Sequence, residues 1–223
     1  MMVTDTTALR YAQQDPDVRL MLQVRDDNAT AFEELVLRYQ ARLLSVLEHA
    51  VGRRGQAEDL VQEVFLRVFR ARKRYQPGAK FSTWLFTIAN NLASNSQRSR
   101  SRRKEVNIAS AGSTTSLQPL EGMAIAESGL MPTRQVDASE RGAVVRAAIQ
   151  SLSDRQRMAL LLCKFEEMSY VEIAETMELT VPAVKSLLSR ARVNLKDALE
   201  PYMQDGVLPR SEVDELGGVG PDE

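Results

Sequence analysis

The stretch Ser169–Lys196, SYVEIAETMELTVPAVKSLLSRARVNLK, decides how the chain folds. It reads as two helices joined by a tight turn. Apolar side chains fall where the two must cross: Ile173 and Ala174 on the first, Val184 and Leu188 on the second. With Val184 at the centre of the buried stripe, Leu188, Ala191, Leu195 and Leu199 follow at the helical period. At ~100° per residue, Lys185, Ser189, Arg192 and Lys196 lie roughly 80–140° from that stripe, with Ser186 and Arg190 further round. The second helix is thus apolar on one side and basic on the other. This is the pattern of a helix-turn-helix, whose second helix enters the DNA major groove. The plainer reading is an amphipathic hairpin with a solvated basic face.

Local signals support the helix assignment. Ser169 with Glu172 and Ser153 with Gln156 form capping boxes, and Asp137 with Glu140 resembles one. Thr180 is a suitable N-cap for the second helix, and Pro182 is tolerated in its first turn.

Working outward, the rest of the chain is also helical in pattern. At 223 residues it has room for one large or two small domains, and 43% apolar content supplies a core. Alternating β-branched runs are nearly absent, so the expected fold class is all-α: two small helical domains joined by a flexible linker. The net charge of −1 hides a segregation. Arg98, Arg100, Arg102, Arg103 and Lys104 cluster together, while Glu212, Asp214, Glu215, Asp222 and Glu223 crowd the C-terminus. A near-neutral sum therefore leaves nucleic-acid binding open. Cys163 and His49 are the only residues of their types, which disfavours a disulfide or a zinc site. No apolar run approaches the ~20 residues that cross a bilayer, and no signal pattern opens the chain. The expectation is a cytoplasmic protein without a cofactor.

Residues 1–14 read as disordered. Asp15-Pro16 opens a short helix, with proline in its first position. A stronger helix runs from Asn28 to about Val51 on Phe32, Leu35, Val36, Tyr39, Leu43, Val46 and Leu47. Gly52 and Gly55 bracket a break. A third helix follows from about Ala57 to Arg72, with Ala57, Leu60, Val61, Val64, Phe65 and Val68 inward. After the loop at Gln76-Pro77-Gly78, Ser82 is read as the cap of a helix through Trp84, Leu85, Ile88 and Leu92 into the arginine-rich stretch. Residues 105–136 lack a sustained period and read as a linker. Residues 203–223 read as a disordered acidic tail.

Two surfaces stand out in the first half. On helix 57–72, Asp59, Glu63, Arg67 and Arg70 project outward, Leu66 projects with them, and Gln62 and Phe69 flank the stripe. An exposed leucine ringed by charge is how a protein-docking surface looks, although one exposed leucine is also commonplace. From Arg74 to Lys104 the chain presents Lys80, Phe81 and Trp84, then Thr87, Asn90, Asn91, Ser94 and Arg98 along one side. Amides and cations beside aromatic rings suit stacked bases and phosphates, and an exposed single strand more than a duplex. Trp84 equally fits the core, and the arginines equally fit a solvated helix end.

Together these segments resemble the bacterial RNA polymerase sigma-70 superfamily, in its small extracytoplasmic-function form. AEDLVQEVFLRVFR at 57–70 is similar to that family's polymerase-docking helix. FSTWLFTIANNLASNSQRSRSRRK at 81–104 is similar to the region that melts and recognises the −10 element. LSDRQRMALLLCKFEEMSYVEIAETMELTVPAVKSLLSRARVNLK at 152–196 is similar to the module that reads the −35 element. The resemblance implies a region 2-like domain at 15–104 and a region 4-like domain at 137–202. It implies that Asp59, Gln62, Glu63, Leu66 and Arg67 dock on the β′ coiled coil of core polymerase, with the β flap as a second contact. It implies a base-capturing pocket at 75–82, strand contacts from Lys80, Phe81, Trp84, Asn90, Asn91 and Arg98, and duplex contacts from Lys185, Ser186, Ser189, Arg190 and Arg192. The implied partners are core polymerase, promoter DNA and, in many members, an anti-sigma factor. No catalytic residue and no small-molecule substrate are implied, so the chain is expected not to be an enzyme.

The sequence departs from that family at Glu178, which stands where helix-turn-helix motifs often carry glycine. A positive φ there costs a side chain a modest strain. Two rival readings differ in kind: a helix-turn-helix regulator that binds duplex DNA without polymerase, and a helical interaction protein with no nucleic-acid role.

Overall fold

The computed structural model describes residues 10–110 and 133–204, and all regular structure among them is helical. The N-terminal unit holds α1 (Pro16–Arg25), α2 (Ala29–Val51), α3 (Arg54–Ala71) and α4 (Phe81–Ser110), with a short 3₁₀ turn at Arg72–Arg74. The C-terminal unit holds α5 (Thr133–Ser151), α6 (Asp154–Phe165), α7 (Tyr170–Met177) and α8 (Val181–Gln204).

In the first unit α2 is the central strut. Asn28 caps it by accepting from Ala31 N at 3.1 Å, and Gly52 ends it at φ 75°, a left-handed conformation natural to glycine. Leu35, Leu43, Val46 and Leu47 are fully buried along its inner face. Val18 and Met21 of α1, Ala57, Val64 and Val68 of α3, and Phe81, Leu85 and Phe86 of α4 close around them. Burying each large side chain contributes roughly 1.5–3 kcal/mol.

The start of α4 differs from the expected cap at Ser82. The helix begins at Phe81, and its first amide donates to Asp15 Oδ2 at 2.9 Å. The other oxygen of the same carboxylate accepts from Asp17 N at 2.9 Å and caps α1. One aspartate thus stands at two helix N-termini, where the helix dipoles favour its charge.

Other boundaries also moved. Gly55 lies inside the first turn of α3 rather than in the break before it. α4 continues past Lys104 to Ser110, and α5 begins at Thr133, so helix enters both ends of the expected 105–136 linker. Asp137 and Glu140 lie within α5 and do not open a helix. The expected tail beyond Gln204 and most of the expected disordered N-terminus lie outside the described residues; residues 10–14 form a helical turn.

The C-terminal unit matches its pattern closely. Both capping boxes are present, at Ser153/Gln156 and Ser169/Glu172. Val184, Leu188, Ala191, Leu195 and Leu199 are all at most 3% exposed and pack over Ile173 and Ala174. Glu178 takes φ 55° and ψ 46°, so the expected positive-φ turn is built with a glutamate.

The two units touch. α2 packs on α6, and α4 packs on α7. Buried Arg157 of α6 joins them: its guanidinium donates to Ile149 O, Gln150 O and Leu152 O in its own unit, and to Ala50 O of α2 at 2.7 Å. Gln150 Nε2 donates to His49 O at 2.6 Å, and Arg42 pairs with Glu166.

Candidate nucleic-acid and polymerase interfaces

Along α3 the expected docking residues share the outer face. Asp59, Gln62, Leu66 and Arg67 are exposed and Glu63 is half-buried, with Arg67 Nε 2.8 Å from Glu63 Oε1. Leu66 is 48% exposed and Phe69 41%. They form one wall of an apolar groove of about 530 Å³ whose other wall is Phe32 and Val36 of α2. Phe32 and Phe69 stack with centroids 5.2 Å apart. The sequence pattern placed Phe32 and Val36 in the core. Only the α2–α3 crossing shows that their edges remain open beside Leu66.

The loop before α4 and the first turns of that helix form a small cavity of about 210 Å³, lined by Tyr75, Gln76, Gly78, Ala79, Thr83, Trp84 and Thr87, with Glu175 of α7 at its edge. Trp84 is half-buried, 4.8 Å from the Tyr75 ring and 6.0 Å from Phe81. It is therefore both packed and partly presented. Phe81 is fully buried against Tyr39 and Trp84, which corrects its expected strand contact: it supports Trp84 from beneath. The Tyr75 and Thr83 hydroxyls are buried with no hydrogen-bond partner among the described residues. Burial pushes the Tyr75 phenol well above its ordinary value, so it stays protonated.

Further along α4, Asn91 and Arg98 are exposed and Asn90 and Ser94 half-buried. They border a polar cleft of about 510 Å³, which Arg67 also lines. Its opposite wall is Asp154, Arg155 and Glu178 of the C-terminal unit. Lys80, at the head of α4, lies 2.7 Å from Glu172 Oε1. Its ammonium is held above the ordinary lysine value by that hydrogen bond. Partial burial pushes the Glu172 carboxyl up, but bonds from Lys80 and Ser169 outweigh it and hold the group low.

On α8, Lys185, Ser186, Ser189 and Arg190 face solvent, and Arg192 is half-buried. Arg190 Nη2 donates to Ser186 Oγ at 2.8 Å, which holds the pair along the helix. Arg192 Nε donates to Leu188 O at 3.3 Å, and the Lys185 ammonium sits 5.9 Å from the Tyr170 ring centre. All five expected residues share one face of one helix.

Burial pushes the half-buried Cys163 thiol up, against a smaller opposing pull from Lys164 and Arg192. Among the described residues no group of His, Cys, Asp and Glu could hold a metal ion, and no helix is long and apolar enough to cross a membrane.

Comparison with known proteins agrees with this layout. The model of sigma-70 region 2 matches residues 35–103, and that of sigma-70 region 4 matches residues 143–195. The chain is 33% identical over 192 residues to the RNA polymerase sigma-H factor of Pseudomonas aeruginosa, covering 86% of this chain and 98% of the relative. It is 31% identical over 193 residues to the ECF RNA polymerase sigma-E factor of Escherichia coli K12, covering 86% and 99%. Two solved structures share the fold. CnrH, in complex with the cytosolic domain of CnrY, has a TM-score of 0.61 at 22% identity over 84% of this chain and 99% of that one. The sigma factor RpoE of Bartonella quintana, in complex with the anti-sigma factor NepR, has a TM-score of 0.57 at 24% identity over 76% and 96%. The two matched regions, in this order and over most of the relatives' length, place the chain in the extracytoplasmic-function branch of the sigma-70 family of RNA polymerase sigma factors.

Proposed function

We propose that this sigma factor divides promoter recognition among three surfaces. The outer face of α3, with the groove between Phe32 and Phe69, docks on the β′ coiled coil of core polymerase. The face of α4, with Lys80, Trp84, Asn90, Asn91 and Arg98, takes the unpaired −10 strand, and the Tyr75–Thr83 cavity takes one flipped base. The face of α8, with Lys185, Ser186, Ser189, Arg190 and Arg192, reads the −35 duplex.

The observation that carries this reading is the pairing of two unlike basic faces in one chain. One adjoins an aromatic cavity, as a single strand needs; the other lies on a solvent-facing helix, as a major groove needs. No covalent step belongs to the chain. Phosphate contacts supply salt-dependent affinity. Unstacking a base costs a few kcal/mol, offset by stacking on Trp84 and by hydrogen bonds in the cavity. Strand capture then shifts the duplex–bubble equilibrium toward open DNA. An anti-sigma factor is a further partner, since CnrH and RpoE share the fold and RpoE is bound to one.

The docking surface is tested with Leu66→Arg. The change places a charge in the apolar groove at a half-exposed site, so the fold should survive. Co-purification with core polymerase should be lost while circular dichroism stays that of the parent. Normal co-purification would refute the α3 assignment.

A further inference from the structure

Tyr75, Gln76, Gly78 and Ala79 line the aromatic cavity from one loop, and a cation stands at each end of that loop, Arg74 and Lys80. A nucleotide turned out of its stack keeps a phosphate on either side, so a cavity that takes its base has two anions at its rim. Lys80 is paired with Glu172. Arg74 is exposed and has no hydrogen-bond or ion-pair partner among the described residues.

The 3₁₀ turn that carries Arg74 is anchored to the corner between α1 and α2. Arg72 Nε donates to Asp27 Oδ1 at 3.1 Å, and Lys73 Nζ donates to Asp27 Oδ2 and, at 2.8 Å, to Arg25 O. The Arg72 guanidinium also lies 3.9 Å from the Phe69 ring centre, and its Nη1 donates to Phe69 O at 2.9 Å. Hydrogen bonds from Lys73 and Arg72 hold the Asp27 carboxyl below its ordinary value. Asp27 itself stands at φ 66°, a left-handed conformation that strains a side chain, and such strain gathers where a chain must hold a group in one place. Two of the turn's three cations are thus occupied by one aspartate. The third, Arg74, leads directly into Tyr75, whose N–H donates to Arg72 O at 3.2 Å and whose ring packs on Trp84. The C-terminal dipole of α3 accounts for Arg70 in its last turn, but Arg74 lies beyond that helix.

We propose that Arg74 grips the phosphate beside the captured nucleotide, and that Asp27, by holding Arg72 and Lys73, is the residue that positions it. This rests on the assignment of the cavity to a flipped −10 base. The contact is to the backbone, so it supplies affinity and register without reading sequence. Arginine suits it, because its planar fork can donate two bonds to one phosphate.

The probe is a fluorescein-labelled single strand carrying the non-template −10 sequence of a promoter that the holoenzyme opens. Binding to holoenzyme is read by anisotropy over a series of salt concentrations, and parallel strands carry an abasic site at each −10 position in turn. Arg74→Ala should weaken binding about three- to tenfold. It should also lower the slope of log affinity against log salt by about 0.7, the share of one phosphate on a single strand. The loss should be the same, within twofold, on intact and abasic strands. Arg74→Lys retains a point charge and should retain the slope. Co-purification with core polymerase should not change. Asp27→Asn removes a negative charge and frees two cations, so Coulomb's law alone tightens the strand. Loss of the anchor does the opposite. Asparagine tolerates the left-handed φ, so the fold should survive. Asp27→Asn should weaken binding at least twofold in the parent and should not weaken it further beside Arg74→Ala.

Unchanged affinity and slope for Arg74→Ala overturn the phosphate contact. So does a loss that vanishes on one abasic strand, which marks a base contact, or a loss of co-purification, which assigns Arg74 to polymerase. Equal or tighter binding by Asp27→Asn, folded by thermal melt, overturns the positioning role. If that variant does not fold, Lys73→Gln decides the matter by the same non-additivity with Arg74→Ala. The cavity reading fails separately: a parent holoenzyme indifferent to an abasic site at every position captures no base, whatever Arg74 does.

Discussion

The proposed strand face of α4 and the proposed duplex face of α8 both carry cations, but they are made in different ways. The α8 face is the back of one helix whose front is the Val184–Leu199 stripe, so a single periodicity sets both. The α4 face is assembled from several parts: a loop, a helix start capped by Asp15 from α1, a tryptophan resting on Phe81, and carboxylates from another unit. A face made by one helix can be edited residue by residue. A face made by assembly couples recognition to folding.

The largest effect should follow from Trp84→Ala. Removing a half-buried indole packed on Tyr75 and Phe81 should cost about 3 kcal/mol, the low end for aromatic truncation. Melting temperature and strand capture by the holoenzyme should fall together. Loss of strand binding with an unchanged melt would show that the two faces are equally simple.

Arg190→Ala should separate what Trp84→Ala joins. Its side chain is exposed, so stability should hold within about 0.5 kcal/mol. Discrimination among −35 variants should drop by about 1–3 kcal/mol at one position, roughly 5- to 150-fold, in holoenzyme gel shifts. Unchanged preference would move the reading face elsewhere on α8.

The smallest effect should come from Glu178→Gly. At φ 55° glycine relieves strain that glutamate bears, offset by greater freedom in the unfolded chain. The melting temperature should rise by about 1–4 °C, read by calorimetry. A fall would mean that Glu178 contributes to the cleft more than its backbone costs.

The same contrast explains what could be read from residues alone. Ser153, Ser169, Thr180 and the αL turn at Glu178 act within three or four residues of themselves, and each stands where its local pattern placed it. The cap of α4 could not be read that way. It comes from Asp15, far away in the chain, whereas Ser82 is a good local capper standing one residue inside the helix. Phe81 looked presented because it neighbours Lys80, yet Tyr39 and Trp84 enclose it. The helical ends at 105–110 and 133–136 lack an apolar period, so no hydrophobic rhythm marks them. The groove wall at Phe32 and Val36 belongs to a crossing of two helices, and helical periodicity distinguishes inward from outward but not a core from a groove floor.

The central claim is that this chain gives core polymerase a promoter preference through two separated faces. Its most direct test is transcription in vitro on fragmented genomic DNA, with core enzyme alone and with the purified chain added, followed by sequencing of transcript starts. New starts should appear that share two upstream elements at a fixed separation, and Arg190→Ala should blur only the distal one. No new start sites, or starts sharing a single element, would contradict the account.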